Sequence, residues 1–196
     1  MVPVQAHQAD GLPRRRVLVL GGARSGKSTY AENLARRWST SVTYVATSRT
    51  RSDDPEWDER VAAHRARRPA HWSTVETRDL SSVINAAQTA DTVLVDCMTL
   101  WLTGAMDDVD AWSRADVSAV TDEVMHEVAL VTESLSLSAA NVVIVSNEVG
   151  WGVVPASASG RLFRDLSGRM NTTLAEVCDD AVLIVAGRAL PLERVP

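Results

Sequence analysis

Residues 17–37 read VLVLGGARSGKSTYAENLARR, and no other stretch limits the fold so sharply. Four apolar β-formers run into a glycine-rich turn, and a Lys-Ser-Thr then opens a helical pattern. Gly21-Gly22-Ala23-Arg24-Ser25-Gly26-Lys27-Ser28 fits G-x-x-x-x-G-K-[ST], a loop whose backbone cradles phosphates. Glycine permits the backbone angles and close approach that turn several N–H groups inward. The helix that follows adds unpaired N–H groups and the positive end of its dipole. Lys27 is expected to reach the outer phosphates of a nucleoside triphosphate, and the Ser28 hydroxyl to ligate Mg²⁺. Eight residues can match by chance, but the strand before and the helix after supply the context the motif requires.

Beyond this loop the chain alternates short apolar runs with helical patterns. Strands are expected at VLVL 17–20, TYVA 43–46, TVLVD 92–96, VVIVS 142–146 and AVLIVA 181–186, and helices near 27–38, 56–66, 79–88, 110–137 and 161–177. Runs so apolar and unalternating suit strands covered on both faces. The fold class read from this is α/β and doubly wound: a single P-loop NTPase domain, RecA-like, with a mostly parallel sheet flanked by helices. A chain of 196 residues fits one such domain. Residues 16–196 are assigned to it. Residues 1–15 are read as a loose N-terminal extension without the apolar core of a signal peptide. Arg14-Arg15-Arg16 is read as a solvated lead-in to the first strand.

A formal charge of −5 argues against general nucleic-acid binding, which favours a basic face. No apolar run approaches the roughly 20 residues of a membrane span. Cys97 and Cys178 form no paired motif and are read as small buried residues in a reducing cytoplasm.

In doubly wound sheets, ligands collect at the carboxyl ends of the strands. Asp96 closes TVLVD and stands where P-loop enzymes hold Mg²⁺ or its waters; the alternative is a helix N-cap before Met98-Thr99-Leu100. Asn147-Glu148 follow VVIVS and lead into the loop Val149-Gly150-Trp151-Gly152, either a functional loop or a plain turn. Residues 46–72, ATSRTRSDDPEWDERVAAHRARRPAHW, are rich in charge. Arg60 and His64 share a helical face, and Arg65, Arg67 and Arg68 surround the histidine with positive charge. Taken alone, this pattern describes a solvated helix as readily as a site.

GGARSGKS at 21–28, YVATS at 44–48, RVAAHRARRPAHW at 60–72 and NEVGWGVVP at 147–155 occur in order and with sensible spacing. Together they resemble the bifunctional adenosylcobinamide kinase/adenosylcobinamide-phosphate guanylyltransferase family of adenosylcobalamin nucleotide-loop assembly. RLFRDLSGRMNTTLAEVCDDAVLIVAG at 161–187 continues the likeness, which covers about residues 16–188.

The resemblance implies that the chain phosphorylates adenosylcobinamide with ATP or GTP. It then implies GMP transfer from GTP, through a guanylyl-histidine at His64, to adenosylcobinamide phosphate. Nucleotide contacts are implied at Gly21, Gly22, Ala23, Arg24, Ser25, Gly26, Lys27, Ser28, Thr47, Ser48, Arg49, Arg65, Ala66, Arg67, Arg68, Glu76 and Asp96. Lys27 counts as catalytic, and Ser28 and Asp96 as Mg²⁺ ligands, partly through water. A homo-oligomer, by family resemblance a trimer, is implied as well. Some relatives carry Glu at the position of Asp96, which keeps the carboxylate. Residues 66 and 67 read Ala-Arg where other members have Asp-Gly, which makes the histidine segment more basic.

Two other functions fit the loop alone: a small-molecule kinase of different specificity, and a nucleotide-binding regulator with slow GTPase activity. His7, His71 and His126 are read as bystanders. Trp38, Trp57, Trp72, Trp101 and Trp112 are read as packing residues, and Trp151 as either packing or a wall for a large substrate.

Overall fold

Among the described residues seven strands line up in the order β3-β2-β4-β5-β1-β6-β7, and each neighbouring pair is parallel except β6 with β7. The computed structural model describes residues 14–48, 59, 61–62, 65–66 and 68–195. Its strands are β1 (Arg16–Gly21), β2 (Val42–Ala46), β3 (Ser73–Glu76), β4 (Thr92–Asp96), β5 (Asn141–Asn147), β6 (Asp180–Val185) and β7 (Arg188–Leu192). The helices with complete bounds are α1 (Lys27–Trp38), α2 (Leu80–Ala86), α3 (Met98–Asp108), α4 (Val117–Leu137) and α5 (Ala158–Val177).

The unbroken apolar runs are divided between two cores by the pleat, because successive side chains point to opposite faces. Leu18, Val93, Val95, Val142 and Ile144 face a core filled by Leu80 and Ile84 of α2, Leu102 of α3, Val128 of α4 and Leu166 of α5. Val17, Val19, Leu94, Val143 and Val145 face the other, closed by Ala31, Leu34 and Ala35 of α1 together with Trp72. A sheet covered on both sides explains why these strands show no polar alternation.

Three elements went unread in the sequence. β3, STVE, is exposed at all four positions, so no apolar period marks it. β7, RALPL, carries Pro191, which is tolerated because β7 is the edge of the sheet. In α3 seven of eleven residues are buried, so no polar stripe reveals its helical period. Gly104 gives the Arg78 side chain room to cross the helix and pair with Asp108; a Cβ there would lie 2.5 Å from that side chain and make it shift.

Elsewhere the boundaries shift. The helix expected over 110–137 starts at Val117, where the Asp116 carboxylate accepts the Ala119 N–H. α5 opens at Ala158 behind the Ser157 cap, three residues before the expected start. Most of the helix expected over 56–66 lies outside the described residues, although Val61, Ala62, Arg65 and Ala66 are helical.

The arginine run stays in part exposed to solvent, as expected, but it is not merely a lead-in. Arg16 holds Asp179 at 2.8 Å, Arg15 holds Asp180 at 2.8 Å, and Arg14 donates to the Ser138 carbonyl at 2.9 Å. It ties the start of β1 to the start of β6 and to the end of α4. Both cysteines are free and buried, as expected; burial pushes the Cys178 thiol up to about 12. Among the described residues no helix is long and apolar enough to cross a membrane.

Candidate nucleotide site

β1 delivers the glycine loop to the carboxyl edge of the sheet. At Gly21 a Cβ would lie 2.7 Å from the Ile184 carbonyl of β6, so the strand leaves the sheet only with glycine here. Arg24 and Gly26 both have positive φ, 57° and 98°, which turns the backbone around a concavity. α1 starts with no side-chain cap and no acidic residue in its first turn. Its leading N–H groups therefore remain for an anion. Lys27 is buried and its Nζ donates to the Gly22 carbonyl at 3.1 Å, folded back across the loop.

Asp96 ends β4, two strands from β1, and its Oδ2 accepts the Tyr44 hydroxyl at 3.1 Å. Burial, and then the charge of Asp96, raise the Tyr44 pKa, so the phenol stays a donor. The N-cap alternative for Asp96 fails: the residue capping α3 is Cys97, and no side chain caps that helix. Cys97 is held instead by Thr47, whose Oγ1 donates to the Cys97 carbonyl at 2.7 Å and accepts its N–H at 3.1 Å. Burial and the neighbouring Asp96 charge push the Cys97 thiol up, which keeps it neutral.

One cavity of about 1320 Å³ runs along this edge. Ala23, Arg24, Ser25, Gly26, Lys27 and Ser28 form one side, with Ser48, Glu76 and Asp96 across from them. Arg65 and Arg68 close the basic end, where Arg65 pairs with Glu76 and the Arg68 guanidinium lies 3.8 Å over the Tyr44 ring. Gly21 and Gly22 begin the loop without lining the cavity, Thr47 is buried beneath it, and Ala66 is exposed away from its wall. Arg49, His64 and Arg67 lie outside the described residues.

Sequence reasoning passed over Tyr44, which resembles any other core residue of a buried strand. It is in fact the link between Arg68 and Asp96. Trp38, Trp72 and Trp101 pack against the cores as expected; Trp112 does so only in part, 42% exposed beside Phe163, Trp151 is 74% exposed, and Trp57 lies outside the described residues. His71 and His126 are exposed, and neither lines the cavity.

The donors suit Mg²⁺. Among the described residues no cluster of three histidine, cysteine or acidic side chains exists to cage a metal. Mg²⁺ instead keeps waters and binds through one or two protein oxygens plus substrate phosphates, a set that Ser28 and Asp96 would complete here. Asp96→Asn is accordingly expected to raise the Mg²⁺ requirement and cut turnover by about 10²-fold, roughly 3 kcal/mol of barrier. An unchanged Mg²⁺ titration would sink this assignment.

A glycine loop between β1 and α1, facing a carboxylate at the end of β4, defines an α/β P-loop nucleotide-binding domain. Solved structures agree on the fold. A prototypical ATPase from the type III secretion system of pathogenic bacteria matches with a TM-score of 0.55 at 12% identity, over 86% of this chain and 50% of that one. The assembled ATPase EscN from enteropathogenic E. coli matches at 0.53 and 11%, over 88% of this chain and 43% of that one. This chain thus spans half or less of those ATPases, and the likeness bears on the fold alone. Residues 17–192 match the family described as cobinamide kinase / cobinamide phosphate guanyltransferase, CobU, and the chain belongs to that family. It is 40% identical over 183 residues to the bifunctional adenosylcobalamin biosynthesis protein CobP of Pseudomonas aeruginosa, covering 92% of this chain and 99% of that protein. The bifunctional adenosylcobalamin biosynthesis protein CobU of Salmonella typhimurium is 38% identical over 179 residues, covering 87% and 96%.

Proposed function

We propose that the kinase and guanylyltransferase reactions of this family use the one cavity described above, with His64 as the covalent carrier of GMP. The observation that carries this reading is the joining of two motifs distant in sequence. The phosphate loop and the arginines that flank His64 in sequence, Arg65 and Arg68, line the same space.

In the kinase step the acceptor is the hydroxyl of adenosylcobinamide and the donor is ATP or GTP. Lys27 swings from the Gly22 carbonyl to the outer phosphates, and the N–H groups opening α1 hold the others. Bound Mg²⁺ supplies charge neutralisation across the phosphates. In the second step a neutral His64 nitrogen attacks the α-phosphorus of GTP and pyrophosphate leaves. A phosphate oxygen of adenosylcobinamide phosphate then attacks that phosphorus, the P–N bond breaks, and adenosylcobinamide-GDP forms. Arg65 and Arg68 offset the phosphate charge and disfavour protonation of the imidazole.

This reading includes a cytoplasmic enzyme whose domain starts at residue 16 and which assembles as a homo-oligomer, on family grounds a trimer. It has no nucleic-acid partner. The test is incubation with α-labelled GTP and Mg²⁺ followed by denaturing electrophoresis. Label is expected to stay on the chain and to move to adenosylcobinamide phosphate when that is added. A chain that takes up no label during turnover overturns the covalent route.

A further inference from the structure

Three carboxylates among the described residues line the cavity: Glu76, Asp96 and Glu148. Glu76 is paired with Arg65, and Asp96 accepts the Tyr44 hydroxyl. Glu148 differs from both. Its Oε1 accepts the Gly150 N–H at 3.1 Å, which fixes the side chain, while Oε2 has no hydrogen bond or ion pair among the described residues.

The backbone under Glu148 is tied to the phosphate loop. Asn147 stands beside Gly21 in the β5–β1 register, and the Glu148 N–H donates to the Gly21 carbonyl at 3.2 Å. Behind it, Asn147 Nδ2 donates to Thr99 Oγ1 at 2.6 Å, and the Asn147 carbonyl accepts Asn171 Nδ2 at 3.1 Å. A carboxylate oxygen is therefore held by a braced strand end next to the triphosphate cradle. The loop that continues from it exposes Trp151, Val153 and Val154. Of this loop Val149 lines the cavity beside Glu148, and at about 1320 Å³ the cavity exceeds the roughly 300–1,000 Å³ of an ordinary ligand pocket, room enough for a large acceptor beside the nucleotide.

We infer that Glu148 is the general base of the kinase step, an inference that rests on the functional reading above. The acceptor hydroxyl oxygen bonds to the γ-phosphorus as the bond from that phosphorus to the β,γ-bridging oxygen breaks. The hydroxyl proton passes to Glu148 Oε2, and the nucleoside diphosphate leaves with the bonding electrons. The guanylyl steps need no such base, because a neutral imidazole and an anionic phosphate attack without losing a hydroxyl proton.

The two activities thus provide an internal control. Glu148→Gln is expected to slow phosphorylation of adenosylcobinamide by about 10²–10⁴-fold, the usual contribution of a positioned base. Uptake of GMP from α-labelled GTP, and its passage to adenosylcobinamide phosphate, should stay within about threefold of wild type, which also reports a folded cavity. The Mg²⁺ dependence of the residual kinase rate should not move, and Glu148→Asp should recover part of that rate. If wild type phosphorylates adenosylcobinamide and Glu148→Gln does so equally fast, the assignment is wrong while the functional reading survives. Parallel loss of both activities with a raised Mg²⁺ requirement also overturns it and makes Glu148 a metal-side residue. A wild type without kinase activity on adenosylcobinamide overturns the functional reading itself.

Discussion

Lys27→Ala is expected to abolish both transfers, with kinase and guanylyl-transfer rates falling by about 10³-fold or more. Removing a single positioned donor from developing charge in a shielded site costs about 10²–10³-fold. Lys27 adds a full positive charge to that geometry, since its buried stem and its contact with the Gly22 carbonyl already aim the ammonium along the phosphate loop. Both reactions begin with a triphosphate whose charge must be neutralised before a nucleophile approaches, at the γ-phosphorus in one and the α-phosphorus in the other. The loss should therefore be common to the two. Rates for each step, with a thermal melt to establish that the variant folds, decide the matter. A folded Lys27→Ala that works at wild-type rate would mean that the nucleotide binds elsewhere.

His64→Ala should separate what Lys27→Ala removes together. GMP transfer is expected to vanish, while phosphorylation of adenosylcobinamide persists within a few-fold. The first reaction needs the phosphate loop, the metal and an acceptor hydroxyl; the second needs a nitrogen that can hold GMP. Wild-type enzyme should carry label from α-labelled GTP in a linkage stable to alkali and labile to acid, because protonating the nitrogen of a phosphoramidate makes it a good leaving group. His71→Ala is the control, since His71 is exposed and stands off the cavity wall. Label on His64→Ala, and none on His71→Ala, would transfer the role to His71.

Much of this molecule is local information. The phosphate loop is legible because its demands fall on adjacent residues: a glycine where β1 leaves the sheet, a left-handed glycine at residue 26, and a lysine opening α1. The five buried strands are legible because both their faces are covered, so each shows as an unbroken apolar run. The fold class follows from the way those runs alternate with helical patterns. The family is legible for a related reason, since four motifs keep their order along the chain.

What the sequence leaves open depends on pairings between residues far apart. Whether Asp96, at the end of its strand, would cap a helix or serve the metal side of a site is open in the sequence; in the fold α3 takes Cys97 as its cap, and Tyr44, 52 residues away, meets the carboxylate. The partners of the arginine run are not legible because Asp179 and Asp180 lie more than 160 residues along the chain. β3 and β7 have too little buried surface to mark themselves, and they exist as strands because β2 and β6 offer unpaired edges. A residue's own neighbours in sequence set its backbone preferences. Which carboxylates end up at one cavity, and which of them keeps an oxygen free of partners, is set by how the strands are ordered. Only the folded sheet contains that order.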